Sequence, residues 1–233
     1  MNIKNNLKYF KTSDRFRQAG IILLGAGMAS LILGFIGLGF GFIFYILMSV
    51  CLPVGFIMYL VGSSWRSSDE DIDTQLKEAT DGLEVDFDKN LRYSKRVLKN
   101  QQPNTLSGYN YRDGLLFTKS KLGEVRSSEY TKAIVYILSD ELYINQRTVS
   151  LVSDNVENKV VEIPYTSIKK IEIVSENKEF VFGKKHFSVV DYQLLITYEE
   201  ELKILLPIKN DIESDNYIIK LKRMVEDYKS QNS

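Results

Sequence analysis

The chain has 233 residues, with 30 basic and 30 acidic side chains, one cysteine and one histidine. A single cysteine excludes an intramolecular disulfide and a thiol metal cluster, and a single histidine leaves few arrangements for acid–base or nucleophilic catalysis. The formal net charge of zero gives no reason to expect a nucleic-acid partner. We therefore expect a protein that is not an enzyme, with no cofactor, no metal and no small-molecule substrate.

Residues 1–18 form a short basic arm. Its charged side chains are Lys4, Lys8, Lys11, Arg15 and Arg17, against a single acidic residue, Asp14. Basic residues next to an apolar span stay on the cytoplasmic side of a membrane. The arm is therefore interpreted as a topology signal. In an alternative interpretation it lies along the lipid headgroup layer.

Residues 20–62 contain no charged side chain, and the flanking charges are Arg17 and Arg66. A bilayer core about 30 Å thick takes about 20 apolar helical residues, so this stretch is long enough for two crossings. We predict a transmembrane helical hairpin over residues 19–64, with crossings at 19–38 and 41–61 and a glycine-rich turn at 37–41. The prediction is a cell-membrane protein with both termini cytoplasmic. The lack of ionisable residues in the crossings argues against a transporter.

Small residues recur every four positions in the first crossing, at Ala26, Ser30 and Gly34. Small side chains on one helix face let a second backbone approach closely, which stabilises helix pairs in lipid. We predict that these residues pack against the second crossing. The alternative is that small residues are simply common in membrane helices.

A charged amphipathic linker helix is predicted over residues 65–105. Apolar residues recur at helical spacing from Ile72 to Leu98, and the charge changes from acidic to basic along the segment. Gly82 lies in the middle, so one long helix and two shorter ones both fit. The segment either packs on its own domain or serves as a docking helix for another chain.

Short β-like runs with polar turns fill the remaining residues, 106–233. The predicted strands cover 114–119, 130–139, 141–149, 159–163, 168–174, 187–197 and 201–208, with a further short strand at 180–182. An amphipathic helix capped by Asn210 follows at 211–229. Its apolar stripe consists of Ile212, Leu221, Met224, Val225 and Tyr228. The predicted fold class is α+β, with about seven antiparallel strands in a sandwich or barrel closed by a C-terminal helix.

Two segments of this domain carry a family resemblance. Residues 136–145 (YILSDELYIN) and 160–174 (VVEIPYTSIKKIEIV) resemble the bacterial pleckstrin-homology-like (PH-like) domains and the related GRAM domains. The matching positions are the turn Ser139-Asp140 and the apolar series Ile163, Pro164, Ile168 and Ile171. The resemblance covers about residues 110–229 and implies a PH-like fold with a closing helix, but it brings no functional residue. The polar stretch 150–158 departs from the family by predicting a larger hairpin loop.

Lysines provide the candidate binding residues. Lys169, Lys170, Lys184 and Lys185, with Lys119 and Lys121 as further members, form a candidate site for a lipid headgroup or a partner, because lysine binds phosphate as a point charge. The alternative is a solvated surface. His186 and the acidic turn 199–201 lack the spacing of a catalytic or metal site.

These features predict a non-enzymatic, membrane-anchored adaptor or scaffold that presents a cytoplasmic domain to a protein partner or to another copy of itself. Tethering to a membrane raises the effective concentration, so a weak interface can be occupied. The alternatives are a sensor that binds lipid headgroups and an immunity-type membrane protein.

Overall fold

The computed structural model describes residues 2–11, 15–35, 41–63, 67–83, 104–182, 185–200 and 202–231. The chain divides into two compact units, Asn2–Ser68 and Asp69–Ser233. The boundary falls inside the predicted linker segment, so that the helical part of the linker belongs to the C-terminal unit. Each unit is described by itself.

The first unit is helical. It contains α1 (Ile3–Lys11), α2 (Arg15–Phe35) and α3 (Gly41–Ser63). The prediction of two apolar helices is confirmed: the segments Phe16–Gly34 and Phe42–Gly62 are long and apolar enough to cross a membrane. Most of their large apolar side chains are exposed, including Ile22 at 70% and Phe42 at 76%. The predicted glycine turn lies mostly outside the described residues, which resume at Gly41.

Helices α2 and α3 contact each other through glycines spaced seven residues apart. An added Cβ on Gly20 would lie 2.6 Å from Tyr59 N, and one on Gly27 would lie 2.7 Å from Leu52 Cδ2. From the other helix, a Cβ on Gly55 would lie 2.9 Å from Leu24 N. A seven-residue period keeps one seam of a helix facing its partner when the two supercoil. The close approach of α2 and α3 therefore requires residues without a side chain at these positions.

The predicted packing residues are only partly on this seam. Ser30 and Gly34 are buried, whereas Ala26 is exposed and the neighbouring Gly27 makes the close contact instead. A four-residue step turns a helix by about 400°, so three such residues drift off the seam, while alternating steps of three and four follow it. Ser30 Oγ also donates to Ala26 O at 2.8 Å, which satisfies its hydroxyl within the helix.

The second unit begins with α4 (Asp69–Thr80) and contains nine strands among its described residues, followed by a last helix, α5 (Ile212–Gln231). The strands are β1 (Asn104–Tyr109), β2 (Phe117–Lys119), β3 (Val125–Ser127), β4 (Glu129–Ile137), β5 (Glu141–Ser150), β6 (Val156–Pro164), β7 (Ile168–Phe182), β8 (Lys185–Tyr198) and β9 (Leu202–Pro207). The α+β fold class is confirmed. Of the predicted linker, residues 84–103 lie outside the described residues.

The strands form three antiparallel sheets, in the orders β1-β4-β5-β6, β2-β3 and β7-β8-β9. The predicted turn at Ser139-Asp140 joins β4 and β5, and Leu138 N donates to Glu141 O at 3.0 Å across it. The loop predicted over residues 150–158 is shorter, because β6 begins at Val156. The short strand predicted at 180–182 is the end of the 15-residue β7.

The main core lies between the four-stranded sheet, the three-stranded sheet and α5. It includes Val135 and Ile144 from the first sheet, Leu194 and Leu206 from the second and Leu221 from α5. Alternation along each strand directs these side chains inward. A smaller apolar cluster, with Phe117 stacked on Phe180 at a centroid distance of 4.3 Å, joins the β2–β3 hairpin to the far end of the β7–β8 hairpin.

Helix α5 begins one residue later than predicted. Ser214 N donates to Asp211 Oδ1 at 2.8 Å, so Asp211 rather than Asn210 is the cap, and this bond lowers the pKa of the Asp211 carboxyl. Leu221 and Val225 are buried as predicted, but Ile212, the first residue of the helix, is 79% exposed. Tyr217 and Ile218 complete the buried stripe.

Candidate functional site

Lys169 and Lys170 are not brought together with Lys185 by the fold. Lys169 and Lys170 are exposed near the start of β7, and Lys170 Nζ pairs with Glu172 Oε2 at 2.7 Å. Lys185 is exposed at the start of β8, where it lies opposite Phe182. Twelve residues of strand separate Lys170 from Phe182, which is roughly 40 Å of chain at about 3.3 Å per residue. Lys184 lies outside the described residues.

Helix α4 packs on its own domain, and its first turn is held by the β2–β3 hairpin. Arg126 Nη1 pairs with Asp73 Oδ1 at 2.9 Å and donates to Asp69 O at 3.3 Å. The backbone N–H of Lys121 donates to Asp69 Oδ2 at 2.8 Å. The Arg126 side chain is 9% exposed, and its guanidinium lies 5.9 Å from the ring centroid of Tyr109, so it connects α4 to both β1 and β3.

The other end of α4 is held by β5. Arg147 Nη1 donates to Ala79 O at 3.3 Å and to Asp81 O at 3.0 Å, which satisfies carbonyls that the end of a helix leaves without intrahelical donors. A cation at this position also complements the helix dipole. Asn145 Nδ2 donates to the carbonyl of Leu83 at 3.2 Å.

The apolar side of this segment covers the outer face of the four-stranded sheet. Leu83 packs in a cluster with Ile134, Tyr136, Leu138 and Tyr143, all of them 6% exposed or less. These strand residues alternate with those of the main core, so they belong to the opposite face of the sheet. Of the two interpretations of the linker, the structure therefore supports docking on its own domain for residues 69–83.

A groove with a volume of about 740 Å³ runs beside α4. It is lined by α4, the end of β1, β3, the start of β4 and the β8–β9 strands. Four tyrosines contribute to it: Tyr109, Tyr111, Tyr130 and Tyr192. A volume of this size lies within the range of pockets that hold small ligands or short peptide segments. This groove is the candidate functional site of the second unit.

One wall of the groove is fixed by a partly buried ion pair. Lys178 Nζ donates to Asp191 Oδ2 at 2.8 Å and to Tyr111 O at 2.9 Å, and Gln193 Nε2 donates to the same carboxylate oxygen at 2.8 Å. Burial works to lower the pKa of Lys178, but the hydrogen bond and the charge of Asp191 outweigh it, and the pKa is raised. Burial, with the nearby charge of Asp191, raises the pKa of Tyr111 to about 12. The Lys178–Asp191 pair and the uncharged Tyr111 hydroxyl therefore add no net charge to this wall of the groove.

The remaining charges of the groove are mostly basic. Asp73 and Asp191 are paired with Arg126 and Lys178 respectively, so their charge is compensated. Lys77, Lys132 and Lys209 also line the groove, against Glu124 as the further acidic residue. The groove therefore combines aromatic surface with an excess of amines, which suits a ligand that carries carboxylate or other anionic groups.

Sequence reasoning missed these residues because they come from three distant parts of the chain. Lys77 lies on α4, Lys132 on β4 and Lys209 directly after β9. One weak signal in the sequence could have indicated the groove. It is the pair Tyr109 and Tyr111 beside a predicted strand, since tyrosine is enriched at interfaces. Only the pairing of β1 with β4 and the docking of α4 place the lysines beside these tyrosines.

His186 is exposed on β8, at the position opposite Val181. Among the described residues, no group of three or more histidine, cysteine or acidic side chains is placed to hold a metal ion. The groove offers hydrogen bonding, aromatic contact and positive charge. These are the properties of a binding surface.

No protein-family model, no curated protein and no solved structure matches this chain.

Proposed function

We propose that the protein is a non-enzymatic, membrane-anchored adaptor that presents its soluble unit to a protein partner. The observation that carries this proposal is the combination of two apolar helices, whose large side chains are mostly exposed, with a folded unit that offers a basic, tyrosine-lined groove. Exposed apolar surface of this extent is tolerated in lipid and is avoided in water.

The anchor supports the adaptor role by restricting where the domain can act. A domain tethered to a membrane meets membrane-bound partners at a high effective concentration, so a modest groove affinity is sufficient. The basic residues before α2 support a cytoplasmic location for both ends of the chain.

The partner that the groove fits best is a short segment with acidic and apolar side chains. Lys77, Lys132 and Lys209 provide charge complementarity, and the tyrosine rings provide large contact area at a low entropy cost. Such a segment would lie against α4, whose position is fixed at both ends by Arg126 and Arg147.

We also propose that the soluble unit is a PH-like domain. The support is its antiparallel four-stranded sheet, followed by a three-stranded sheet and a closing helix, in that chain order. The lipid-sensor alternative has weaker support, because Lys170 and Lys185, two of the lysines that suggested it, lie at opposite ends of the β7–β8 hairpin. An immunity-type role has no residue that favours it.

The proposal is tested by purifying the full-length protein from native membranes in mild detergent. We expect a stoichiometric second protein that is lost when Lys132→Glu and Lys209→Glu are introduced together. The matched control is Lys169→Glu with Lys170→Glu, which changes the same number of charges away from the groove. If both double variants retain the second protein equally, the groove is not its binding surface. If only lipid copurifies, the adaptor proposal is wrong.

A further inference from the structure

Strand β6 forms an open edge of the four-stranded sheet. Within the described residues it pairs with β5 alone, so one side of its backbone has no strand beside it. Residues 156–160 are all exposed, and Val156 and Val160 retain 51% and 50% of their surface. An edge strand with unpaired N–H and C=O groups is a template for pairing with another strand.

The sequence of this edge is complementary to itself in the antiparallel direction. It is Val-Glu-Asn-Lys-Val, from Val156 to Val160. A two-fold axis through Asn158 would place Val156 opposite Val160 of a second copy, and Glu157 opposite Lys159 of that copy. Each side chain then meets a suitable partner, since apolar pairs and pairs of opposite charge stabilise neighbouring strands.

The charges also select this register over its neighbours. Moving the axis by one residue places Glu157 opposite Glu157 of the second copy, or Lys159 opposite Lys159 of the second copy. Like charges directly opposite each other are destabilising. Charged residues on an edge strand normally prevent such pairing. Here the same charges favour a single symmetric arrangement and oppose the adjacent ones.

Asn158 is already positioned at the centre of the arrangement. Arg147 Nε donates to Asn158 Oδ1 at 2.7 Å from the neighbouring strand β5. Successive residues point to opposite faces of a sheet, so Val156, Asn158 and Val160 share one face while Glu157 and Lys159 share the other. The pairing would therefore be complementary on both faces of the sheet.

We propose that two copies of this chain associate through β6 in antiparallel register about Asn158, which joins two four-stranded sheets into one of eight strands. A symmetric two-fold contact closes on itself and does not propagate. The inference goes beyond the proposed adaptor function and rests on its membrane anchoring, because a five-residue contact is weak unless both copies are confined to one membrane.

The first arm of the test locates the contact by disulfide formation in native membranes. The full-length chain carries Cys51→Ala and Asn158→Cys, because opposite Cβ atoms in paired strands lie about 4.5–5.5 Å apart, close to the disulfide range. We expect a covalent dimer on mild oxidation. The control is Val181→Cys in the same background, a strand position that is 66% exposed and should remain monomeric.

The second arm reverses the charges. Glu157→Lys alone and Lys159→Glu alone should each reduce the dimerisation constant roughly ten-fold, because two favourable pairs become two repulsive ones. The double variant carries the same net charge as the natural chain and should restore dimerisation. The fraction of disulfide-linked dimer formed in native membranes, with Asn158→Cys and Cys51→Ala present in every background, measures the result.

Restoration by the double variant supports the inference, since a merely structural effect of either single change would persist. The inference is overturned if the natural chain is monomeric in its membrane, or if both single reversals dimerise as well as the double variant. In either case alkaline extraction of the same membranes still reports anchoring, so failure of the pairing is distinguishable from failure of the anchor.

Discussion

The seam of glycines between α2 and α3 allows a sharp test of how the helical unit is held together. Replacing Gly20 by alanine would place a Cβ 2.6 Å from Tyr59 N and 2.9 Å from Gly55 O, both backbone atoms. An ordinary contact begins near 3.4 Å, so the helices would have to separate locally by about 0.8 Å. Overpacking of this kind costs about 1–3 kcal/mol.

Gly25 provides the matched control on the same helix, because an added Cβ there has no neighbour within 4 Å. Both substitutions change helix propensity by the same amount, about 1 kcal/mol, so the difference between them isolates the packing cost. Gly27→Ala should lie between the two, since its added Cβ comes closest to the Leu52 side chain, which can move, and lies 3.2 Å from the backbone N of Leu52.

The assay is unfolding of the full-length protein in mixed micelles with increasing denaturing detergent, followed by far-ultraviolet circular dichroism. We expect Gly20→Ala to be about 1–3 kcal/mol less stable than Gly25→Ala. Equal stability of the two variants, or a more stable Gly20→Ala, would refute the close helix contact.

Three further predictions concern the soluble unit. Tyr217→Phe should be neutral or stabilising by about 1 kcal/mol in urea unfolding, because the buried Tyr217 hydroxyl has no hydrogen-bond partner among the described residues; clear destabilisation would contradict this. Arg126→Met should speed amide hydrogen exchange in α4 about ten-fold or more, because it removes the ion pair with Asp73 and the hydrogen bond to the Asp69 carbonyl. Unchanged exchange would show that Arg126 does not hold α4. Burial pushes the pKa of Glu129 up, but hydrogen bonds from Arg112 and Asn110 outweigh it and leave that pKa below its ordinary value of 4.5. The stability from this group is therefore present above pH 4.5 and lost as the pH falls through the lowered pKa. Glu129→Gln should lose less stability than the natural chain in acid unfolding below pH 4.5, and an identical pH profile would contradict the assignment.

Much of the fold could be predicted from local sequence. The two apolar helices followed from the uncharged stretch and its length, and the β4–β5 hairpin followed from alternating apolar residues around Ser139-Asp140. Helix α5 followed from its stripe, with an error of one residue at the cap. In each case the signal lies within about 20 neighbouring residues.

The elements that were missed depend on contacts between distant residues. Strand β1 reads Asn-Thr-Leu-Ser-Gly-Tyr, a polar run with low strand propensity, and it is a strand because it pairs with β4 more than 20 residues later. The docking of α4 through Asp73 and Arg126 joins residues 53 positions apart. No local pattern indicates either contact.

The candidate site shows the same limit. Lys170 and Lys185 were grouped as one candidate site, but Lys170 lies at the open end of the β7–β8 hairpin, opposite Thr197, and Lys185 lies next to its turn, opposite Phe182. Lys77 and Lys209 are far apart in sequence and line one groove. Which residues of a β-rich domain lie close together depends on the register of its strands. The sequence indicated the register only within single hairpins.

The most direct test of the account is whether the chain spans a membrane with its domain inside. Membranes that contain the full-length protein are washed with alkaline carbonate, and Ser188→Cys in a Cys51→Ala background is treated with an impermeant maleimide in intact and opened cells. Residue 188 is exposed on β8, so it reports the side of the soluble unit. We expect the protein to remain in the pellet and to be labelled only after the cells are opened. Release into the alkaline supernatant, or labelling in intact cells, would contradict the account.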